Sequence, residues 1–343
     1  MHRLIGGFLP LRFLDAEVAG SLYSSWCSSS ADVWCFHNAR SALNALWTAM
    51  APPTIWLPAY VCEEVARSVP SNCVPRYFPL DSQLRPSVVF LDEHVRAGEH
   101  VLAVDYFGRP QNAEFFTLAK SRPDVGWVQD CAQAVAGFSQ AWGDWLIYSP
   151  RKVVGVPDGG ILVSRREKLP AANTLPLTDL SFVLPVIGRS EDGDERNNSH
   201  WYANYIEVEE RFEVGRLQMS DLSLSIIKRT PFQADSEVRR RNYETLQEHL
   251  SPWAFFGELP IDFIPLGFPV ISRNAGRASA SLAAQGIFAP RHWTTLPSDR
   301  ERFALEHNLA RALLTLPCDY RYDTSDMMRV AKAAREVLVD DSV

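Results

Sequence analysis

Seven short apolar runs recur along the first two-thirds of the chain, and each has the length and the β-branched or aromatic composition of a buried strand. They occupy residues 33–36, 55–58, 74–80, 100–108, 126–132, 145–149 and 160–164. Between several of them lie amphipathic segments with helical spacing, at residues 40–50, 61–69 and 112–121. This alternation predicts an α/β protein whose mostly parallel, seven-stranded sheet is covered by helices on both faces.

The pattern changes near Asp221, where a long helical stretch begins that is broken at Pro231 and then resumes. The remaining residues alternate shorter apolar runs and helical segments. We therefore predict a large domain over residues 1–230 and a small C-terminal α+β domain over residues 231–343. Residues 186–204 are polar and rich in turn-forming residues, which predicts a mobile loop.

Composition and charge narrow the class of protein. The 343 residues are 46% hydrophobic and 22% charged, which is typical of a globular chain with a substantial core. A net charge of -7 argues against a nucleic-acid-binding surface. No run approaches the roughly 18 apolar residues of a membrane span, and the N-terminus has no signal-peptide cleavage site. We expect a cytoplasmic protein with neither a nucleic-acid nor a membrane partner.

The six cysteines are scattered, without the paired Cys and His spacing of a zinc site. In a chain of this size such scattering also argues against a framework of disulfides. We therefore predict reduced thiols and no metal site.

A carboxylate and an amine follow the ends of two predicted strands. Asp130 ends the strand GWVQD, and Lys152 comes just past the end of WLIYS. Taken alone, Asp130 reads equally well as a turn former or a helix cap, and Lys152 as a solvated cation. Because both follow strand ends, where α/β proteins bind ligands, together they fit pyridoxal phosphate (PLP). A lysine holds the aldehyde of PLP, and a carboxylate pairs with its ring nitrogen.

Two further features concern this cofactor. Burial of Lys152 among the neighbouring valines and prolines is expected to lower the pKa of its amine, which favours its action as a nucleophile. Ala39, Arg40 and Ser41 begin a helix after a strand, where amides, a hydroxyl and a charge can bind a phosphate. An ordinary helix N-cap at Asn38 explains the same residues when they are considered alone.

The order of these features resembles the DegT/DnrJ/StrS family of PLP-dependent aminotransferases. Members have the aspartate aminotransferase-type fold (fold type I) and mostly act on keto sugars attached to nucleotides. The matching stretches span nearly the whole chain and are FHNARSAL (36–43), WLPAYVCEEV (56–65), VDYFGRPQ (104–111), QDCAQAVAG (129–137), GDWLIYSPRKVVGVPDGG (143–160), MSDLS (219–223), RRRNY (239–243) and LPCDYRY (316–322).

The resemblance implies a role for each matched site residue. It makes Lys152 the Schiff-base lysine, Asp130 the partner of the ring nitrogen, and Gln133 a neighbour of the ring hydroxyl. The implied phosphate-binding residues are Ala39, Arg40, Ser41 and Ser149. Tyr60 and Cys62 fall where the family places the aromatic residue that packs on the cofactor ring, and the sequence leaves open which of them faces it.

The chain also departs from the family pattern. Arg40 replaces the usual small residue of the phosphate-binding loop, and Gln218 stands where many members have an arginine. Candidate substrate-binding residues in the predicted mobile loop are Arg189, Arg196, His200, Trp201 and Tyr202, although a solvated loop explains them equally well. For His292 and Trp293 we expect a packed joint between domains rather than a contact with substrate.

The resemblance implies a PLP-dependent aminotransferase that moves an amino group from an amino acid donor, such as glutamate, to a keto acceptor. The implied acceptor is a nucleotide-linked keto sugar in glycan or secondary-metabolite biosynthesis. The implied assembly is a homodimer. Arg40 and Gln218 keep a second hypothesis open, that of a scaffold or regulatory protein without transaminase activity. Relatives that dehydrate sugars have a histidine in place of Lys152, and a nicotinamide-binding protein would need a GxGxxG motif that is missing here.

Overall fold

A computed structural model describes residues 3–12, 20–27, 32–135, 141–166, 176, 178, 180–192, 200–211, 214–215, 217–257 and 263–340. The strands within this part are β1 (Ile5–Gly6), β2 (Asp32–Phe36), β3 (Thr54–Pro58), β4 (Val74–Phe78), β5 (His100–Val104), β6 (Gly126–Asp130), β7 (Trp145–Tyr148), β8 (Gly160–Ser164), β9 (Phe268–Ile271), β10 (Ile287–Phe288) and β11 (Leu313–Leu316).

The helices are α1 (Leu22–Cys27), α2 (Ala39–Met50), α3 (Glu63–Arg67), α4 (Val88–His94), α5 (Ala113–Ser121), α6 (Leu184–Asp192), α7 (His200–Arg211), α8 (Asp221–Arg229), α9 (Phe232–Leu250), α10 (Ala275–Ala283), α11 (Ala304–Ala312) and α12 (Thr324–Asp340). None of the described helices is both long and apolar enough to cross a membrane.

The central sheet contains seven strands in the order β2-β8-β7-β6-β5-β3-β4. Strands β7, β6, β5, β3 and β4 run parallel, and β8 is antiparallel to both of its neighbours, β2 and β7. All seven predicted strands are in this sheet, which confirms the predicted mostly parallel α/β architecture. The carboxyl ends of all its strands except β8 therefore lie at one edge, together with the first residue of β8.

Hydrophobic cores cover both faces of the sheet, as the continuous apolar strands predict. Successive residues of β7 show the alternation: Trp145 and Ile147 belong to one core, whereas Leu146 and Tyr148 belong to the other. The first core also contains Trp47 of α2. Strands such as β6 are consequently buried along their whole length.

A further core lies in the C-terminal part of the chain, where α9, α10 and α12 pack on the antiparallel pair of β9 and β11. The N-terminal strand β1 joins this body, because it pairs in parallel with β10 and its Ile5 is buried in the same core. The division at residue 230 stays a prediction.

The predicted mobile loop over residues 186–204 is wrong in its described parts. Helix α6 continues to Asp192, and α7 begins at His200. The apolar residues Trp201, Tyr205 and Val208 recur at helical spacing, and this period extends past the predicted end of the loop. Residues 193–199, and with them Arg196, lie outside the described residues.

Candidate active site

Asp130 is the last residue of β6 and is only 6% exposed. One of its carboxylate oxygens accepts a hydrogen bond of 2.9 Å from the backbone N–H of Ala132. Burial raises the pKa of Asp130, whereas the positive charge of Lys152 and the Ala132 hydrogen bond act in the opposite direction. The structure therefore brings the Asp130 carboxylate within electrostatic reach of the Lys152 ammonium.

Lys152 lies in a 3₁₀ turn, Pro150–Lys152, directly after β7. Its side chain is exposed, and the Nζ atom lies 5.9 Å from the centre of the Trp293 ring. The expectation of a lysine buried among its neighbours is therefore wrong. Val153 and Val154 do pack into the core, whereas the Lys152 side chain in the preceding turn stays exposed.

Two buried groups fix the segment that follows Lys152. Arg239 of α9 donates a 3.2 Å hydrogen bond to the carbonyl of Val153. The Asp158 carboxylate accepts hydrogen bonds from the N–H of Ser220 (2.8 Å), the Ser220 hydroxyl (2.6 Å) and the Ser223 hydroxyl. The serines of the MSDLS stretch thus anchor the lysine-bearing segment to the start of α8.

The first turn of α2 lies against the start of β8. The side chain of Asn38 caps this helix and accepts a hydrogen bond of 2.8 Å from the N–H of Ser41. A Cβ atom on Gly160 would lie 2.1 Å from the Asn38 carbonyl carbon and 2.3 Å from the Ala39 nitrogen. Only glycine leaves room for this approach, which carries the helix start to the sheet edge that holds Lys152.

The predicted phosphate-binding residues lie at this helix start and in the Lys152 turn. The Ser41 hydroxyl accepts a 3.1 Å hydrogen bond from the N–H of Gly215. Arg40 forms an ion pair with Glu64 of α3, so its positive charge is partly neutralised. Ala39 and Ser149 are half-buried. The role of all four residues on a phosphate stays a prediction.

Gln133 is buried, and its side-chain oxygen accepts a 2.6 Å hydrogen bond from the N–H of Phe107. Tyr60 is also buried; its ring centre lies 5.4 Å from that of Trp293, and its hydroxyl donates to the carbonyl of His292. Cys62 is half-buried. Burial raises the pKa of its thiol, while Lys152 is among the groups that oppose the shift. Cys62 thus lies close enough to Lys152 to experience its charge, and Tyr60 packs against Trp293, which in turn lies beside the Lys152 amine.

His292 and Trp293 have a larger part in the site than the sequence indicated. The Tyr60 hydrogen bond makes them a joint, as expected, but Trp293 also faces Lys152. Burial and, to a smaller extent, the charge of Lys152 lower the pKa of His292 to about 4. His292 is therefore neutral near pH 7.

The described substrate-binding candidates of the predicted loop lie on helices instead, Arg189 on α6 and His200, Trp201 and Tyr202 on α7. Arg189 is buried, donates to the carbonyl of Phe8, and places its guanidinium 5.6 Å from the centre of the Trp201 ring. Tyr202 is 51% exposed. Arg189 and Trp201 therefore take part in packing between α6 and the N-terminal segment. The His200 side chain lies outside the described residues.

Asp105, which the sequence analysis missed, lies beside Asp130 at the end of β5. It is fully buried and accepts hydrogen bonds from the side-chain amides of Gln129 (2.7 Å) and Gln111 (3.3 Å). Burial, with a smaller effect of the Asp130 charge, raises the pKa of Asp105 to about 7, against the two amide hydrogen bonds. The site thus contains one carboxylate opposite a lysine and a second carboxylate with neutral partners.

Comparison with solved structures gives the same architecture over almost the whole chain. An aminotransferase of Helicobacter pylori involved in the biosynthesis of pseudoaminic acid (PseC) is 14% identical, with a TM-score of 0.67 over 98% of this chain and 100% of the other. The chain has the fold of these aminotransferases.

Two further structures agree with this assignment. A DegT DnrJ EryC1 StrS aminotransferase from Brucella abortus is 15% identical, with a TM-score of 0.63 over 90% of this chain and 86% of the other. The PLP form of a sugar aminotransferase from Streptococcus pneumoniae (Spr1654) is 13% identical, with a TM-score of 0.67 over 97% of this chain and 94% of the other. No protein-family model matches the sequence, and no curated protein does.

The residues at this sheet edge fit the chemical groups of PLP. Asp130 offers a buried carboxylate with a single backbone hydrogen bond, and Lys152 offers an accessible amine. The close approach that Gly160 permits brings the N-terminal end of α2, a kind of element that binds phosphates in many proteins, to the same sheet edge. Among the described residues, no cluster of three or more His, Cys, Asp or Glu side chains could hold a metal ion.

Proposed function

We propose that the protein is a PLP-dependent aminotransferase that transfers an amino group from an amino acid to a keto acceptor. The observation that carries this proposal is the position of Lys152 within electrostatic reach of the buried Asp130 at one edge of the sheet. In PLP enzymes a lysine holds the aldehyde of the cofactor and a carboxylate pairs with its ring nitrogen. The fold is also one that PLP-dependent aminotransferases have.

The proposed roles follow from the surroundings of each residue. Lys152 would hold the aldehyde of the cofactor, and as a free amine its Nζ atom would accept the proton from the donor's amino-bearing carbon. Asp130 would keep the ring nitrogen protonated. Burial favours this role, because a buried carboxylate attracts a positive charge more strongly than a solvated one does. When bound, PLP supplies the stabilisation of negative charge at the carbon that carries the amino group.

The remaining site residues hold the cofactor. The first turn of α2, with Ala39, Arg40 and Ser41, binds the phosphate together with Ser149, and Gln133 lies by the ring hydroxyl. Tyr60 and Cys62 are the candidates for contact with the ring. Trp293 is a further candidate, because its ring lies over the Lys152 amine.

The proposed acceptor is a keto sugar linked to a nucleotide, used in glycan or secondary-metabolite biosynthesis. Support comes from the structures of similar fold, which include an enzyme of pseudoaminic acid biosynthesis. We also propose a homodimer that acts in the cytoplasm. The dimer is supported by four large apolar side chains that α6 and α7 expose, Leu184, Ile187, Tyr202 and Ile206.

The test is the first half of the reaction. Protein loaded with PLP is mixed with L-glutamate, and conversion of the cofactor to its pyridoxamine form is followed together with 2-oxoglutarate. Because Lys152 moves the proton, we expect Lys152→Ala to slow conversion by about 10²- to 10⁴-fold. We expect a loss of about 10²-fold for Asp130→Asn, which removes a charge that stabilises the transition state. If no amino acid converts the PLP bound to the wild-type protein, the proposed activity is contradicted.

A further inference from the structure

Lys152 shares its 3₁₀ turn with Arg151, whose side chain contacts a different part of the molecule. Arg151 forms an ion pair with Glu209 of α7, and the two side chains are only 15% and 33% exposed. The Arg151 guanidinium also lies 6.0 Å from the centre of the Phe8 ring. The residue next to the proposed attachment lysine is therefore connected to a helix that lies far along the chain.

The three residues of this turn extend in three directions. A 3₁₀ helix has three residues per turn, so successive side chains point about 120° apart. Pro150 is buried, Arg151 reaches α7, and the Lys152 side chain is exposed. Because the directions are linked, holding Pro150 and Arg151 in place also fixes the direction in which Lys152 leaves the turn.

The turn needs contacts from outside to keep this arrangement. Within it, the Lys152 N–H donates a 3.1 Å hydrogen bond to the carbonyl of Ser149. Short 3₁₀ segments have poorer hydrogen-bond geometry than α-helices, so neighbouring elements decide their position. After the lysine, Arg239 of α9 donates to the carbonyl of Val153. The ion pair of Arg151 is the anchor on the other side of the lysine.

The α7 side of this ion pair is packed. The ring of Tyr205, one helical turn before Glu209, has its centre 4.6 Å from that of the Phe8 ring. Burial raises the pKa of the Tyr205 phenol, and the charges of Glu209 and Arg151 act on this pKa in opposite directions. The two charges are therefore partly shielded from water, where their attraction is stronger than at a fully solvated surface.

We propose that the Arg151–Glu209 ion pair positions the Lys152 amine for its bond to PLP. This inference rests on the proposed aminotransferase function. As that bond forms, the neutral Nζ atom attacks the aldehyde carbon, a C=N bond replaces C=O, and the aldehyde oxygen leaves as water with the two amine protons. Arg151 acts only through Lys152 and is a positioning residue. An amine held in place reacts at a high effective concentration, which it loses when it is misplaced.

Two ligands separate the position of the lysine from the rest of the site. PLP can bond to Lys152, whereas pyridoxine 5′-phosphate has an alcohol in place of the aldehyde and binds without that bond. Equilibrium dialysis gives both dissociation constants for the wild type, Arg151→Gln, Arg151→Lys, Glu209→Gln and the double variant Arg151→Gln/Glu209→Gln. Arg122→Gln is the matched control, because its ion pair with Asp124 precedes β6 and lies at the other end of that strand. Thermal melting checks that each variant is folded.

We expect the wild type to bind PLP more tightly than pyridoxine 5′-phosphate, since only PLP bonds to Lys152. Arg151→Gln and Glu209→Gln should each reduce this preference by about tenfold and leave the affinity for pyridoxine 5′-phosphate nearly unchanged. The double variant should lose no more than either single variant, because both substitutions remove the same ion pair. Arg151→Lys keeps the charge and should retain most of the preference, and Arg122→Gln should retain all of it.

An unchanged preference for PLP in Arg151→Gln would overturn the inference and leave the proposed function intact. Equal weakening of both ligands would also overturn it, because the ion pair would then support the fold of the site and not the position of the lysine. A wild type that binds the two ligands equally would refute the bond to Lys152, and the proposed function would fail together with the inference.

Discussion

At the scale of single residues, Asp105 and Asp130 experience similar burial but have different partners. Asp130 lies within reach of the Lys152 charge, which opposes the effect of burial on its pKa. Asp105 accepts hydrogen bonds from neutral donors, the amides of Gln111 and Gln129 and the thiol of Cys131. The lysine charge therefore favours the ionised form of Asp130 alone, and the carboxylate opposite the lysine is the better partner for a protonated ring nitrogen.

Asp105 should make the stability of the protein depend on pH. Its pKa in the folded protein, about 7, lies above the value of 3.8 that applies to the unfolded chain. Its contribution to stability is therefore fully present below the unfolded pKa and is lost as the pH rises through the folded pKa. The loss has a slope of up to about 1.4 kcal/mol per pH unit.

Urea unfolding at pH 5, 6, 7 and 8 measures this dependence in the wild type and in Asp105→Asn. We expect the free energy of unfolding to fall with pH more steeply in the wild type than in the variant. Parallel curves for the two proteins would show that Asp105 is already ionised throughout this range.

At the scale of elements, the site depends on the contact between the start of α2 and the start of β8. Gly159 donates a 2.6 Å hydrogen bond to the carbonyl of His37, and Gly160 lies against the backbone of Asn38 and Ala39. This contact holds the predicted phosphate-binding turn beside the Lys152 segment, and any side chain at Gly160 would separate the two elements.

The substitution Gly160→Ala should therefore weaken both folding and cofactor binding. We expect a loss of about 1–3 kcal/mol in the free energy of unfolding, as for other overpacked sites, and at least a tenfold weaker affinity for PLP. Gly257→Ala is the control, since a Cβ atom there meets no atom of the described residues within 4 Å. The control should change stability by less than about 0.5 kcal/mol. Equal changes in unfolding free energy and PLP affinity for the two variants would show that Gly160 does not lie in close contact with α2.

At the scale of the whole molecule, the sheet-based body and the C-terminal body meet above the sheet edge. The Tyr60 hydrogen bond to His292 connects them there. Helices α6 and α7 expose Leu184 (60%), Ile187 (41%), Tyr202 (51%) and Ile206 (43%). Exposed apolar side chains clustered on two neighbouring helices are typical of a contact with another protein, and the proposed homodimer would cover them.

Sedimentation should accordingly give twice the chain mass of 38.6 kDa. Ile206→Glu places a charge in the proposed interface and should shift the mass toward that of one chain. Val89→Glu, at an exposed position on α4, serves as the control and should stay dimeric. A wild-type protein that sediments as one chain would exclude the homodimer, and a dimeric Ile206→Glu would place the interface elsewhere.

The sequence predicts those features of this molecule that depend on residues close together in the chain. The strands ending at Asp130 and Tyr148 are continuous apolar runs, so their burial and their common edge followed from the pattern. The exposure of Lys152 did not, because a 3₁₀ turn decides it rather than the neighbouring valines. The contact of Trp293 with Lys152 joins distant parts of the chain, and the high pKa of Asp105 depends on burial in the folded protein.

The most direct test of the central claim is the site at which PLP attaches. The purified protein is incubated with PLP, reduced with borohydride, digested and examined by mass spectrometry. The proposal predicts a pyridoxyl group on Lys152 in the wild type and none in Lys152→Ala. A pyridoxyl group on one of the other four lysines instead (Lys120, Lys168, Lys228 or Lys332), or no label on any lysine, would contradict it.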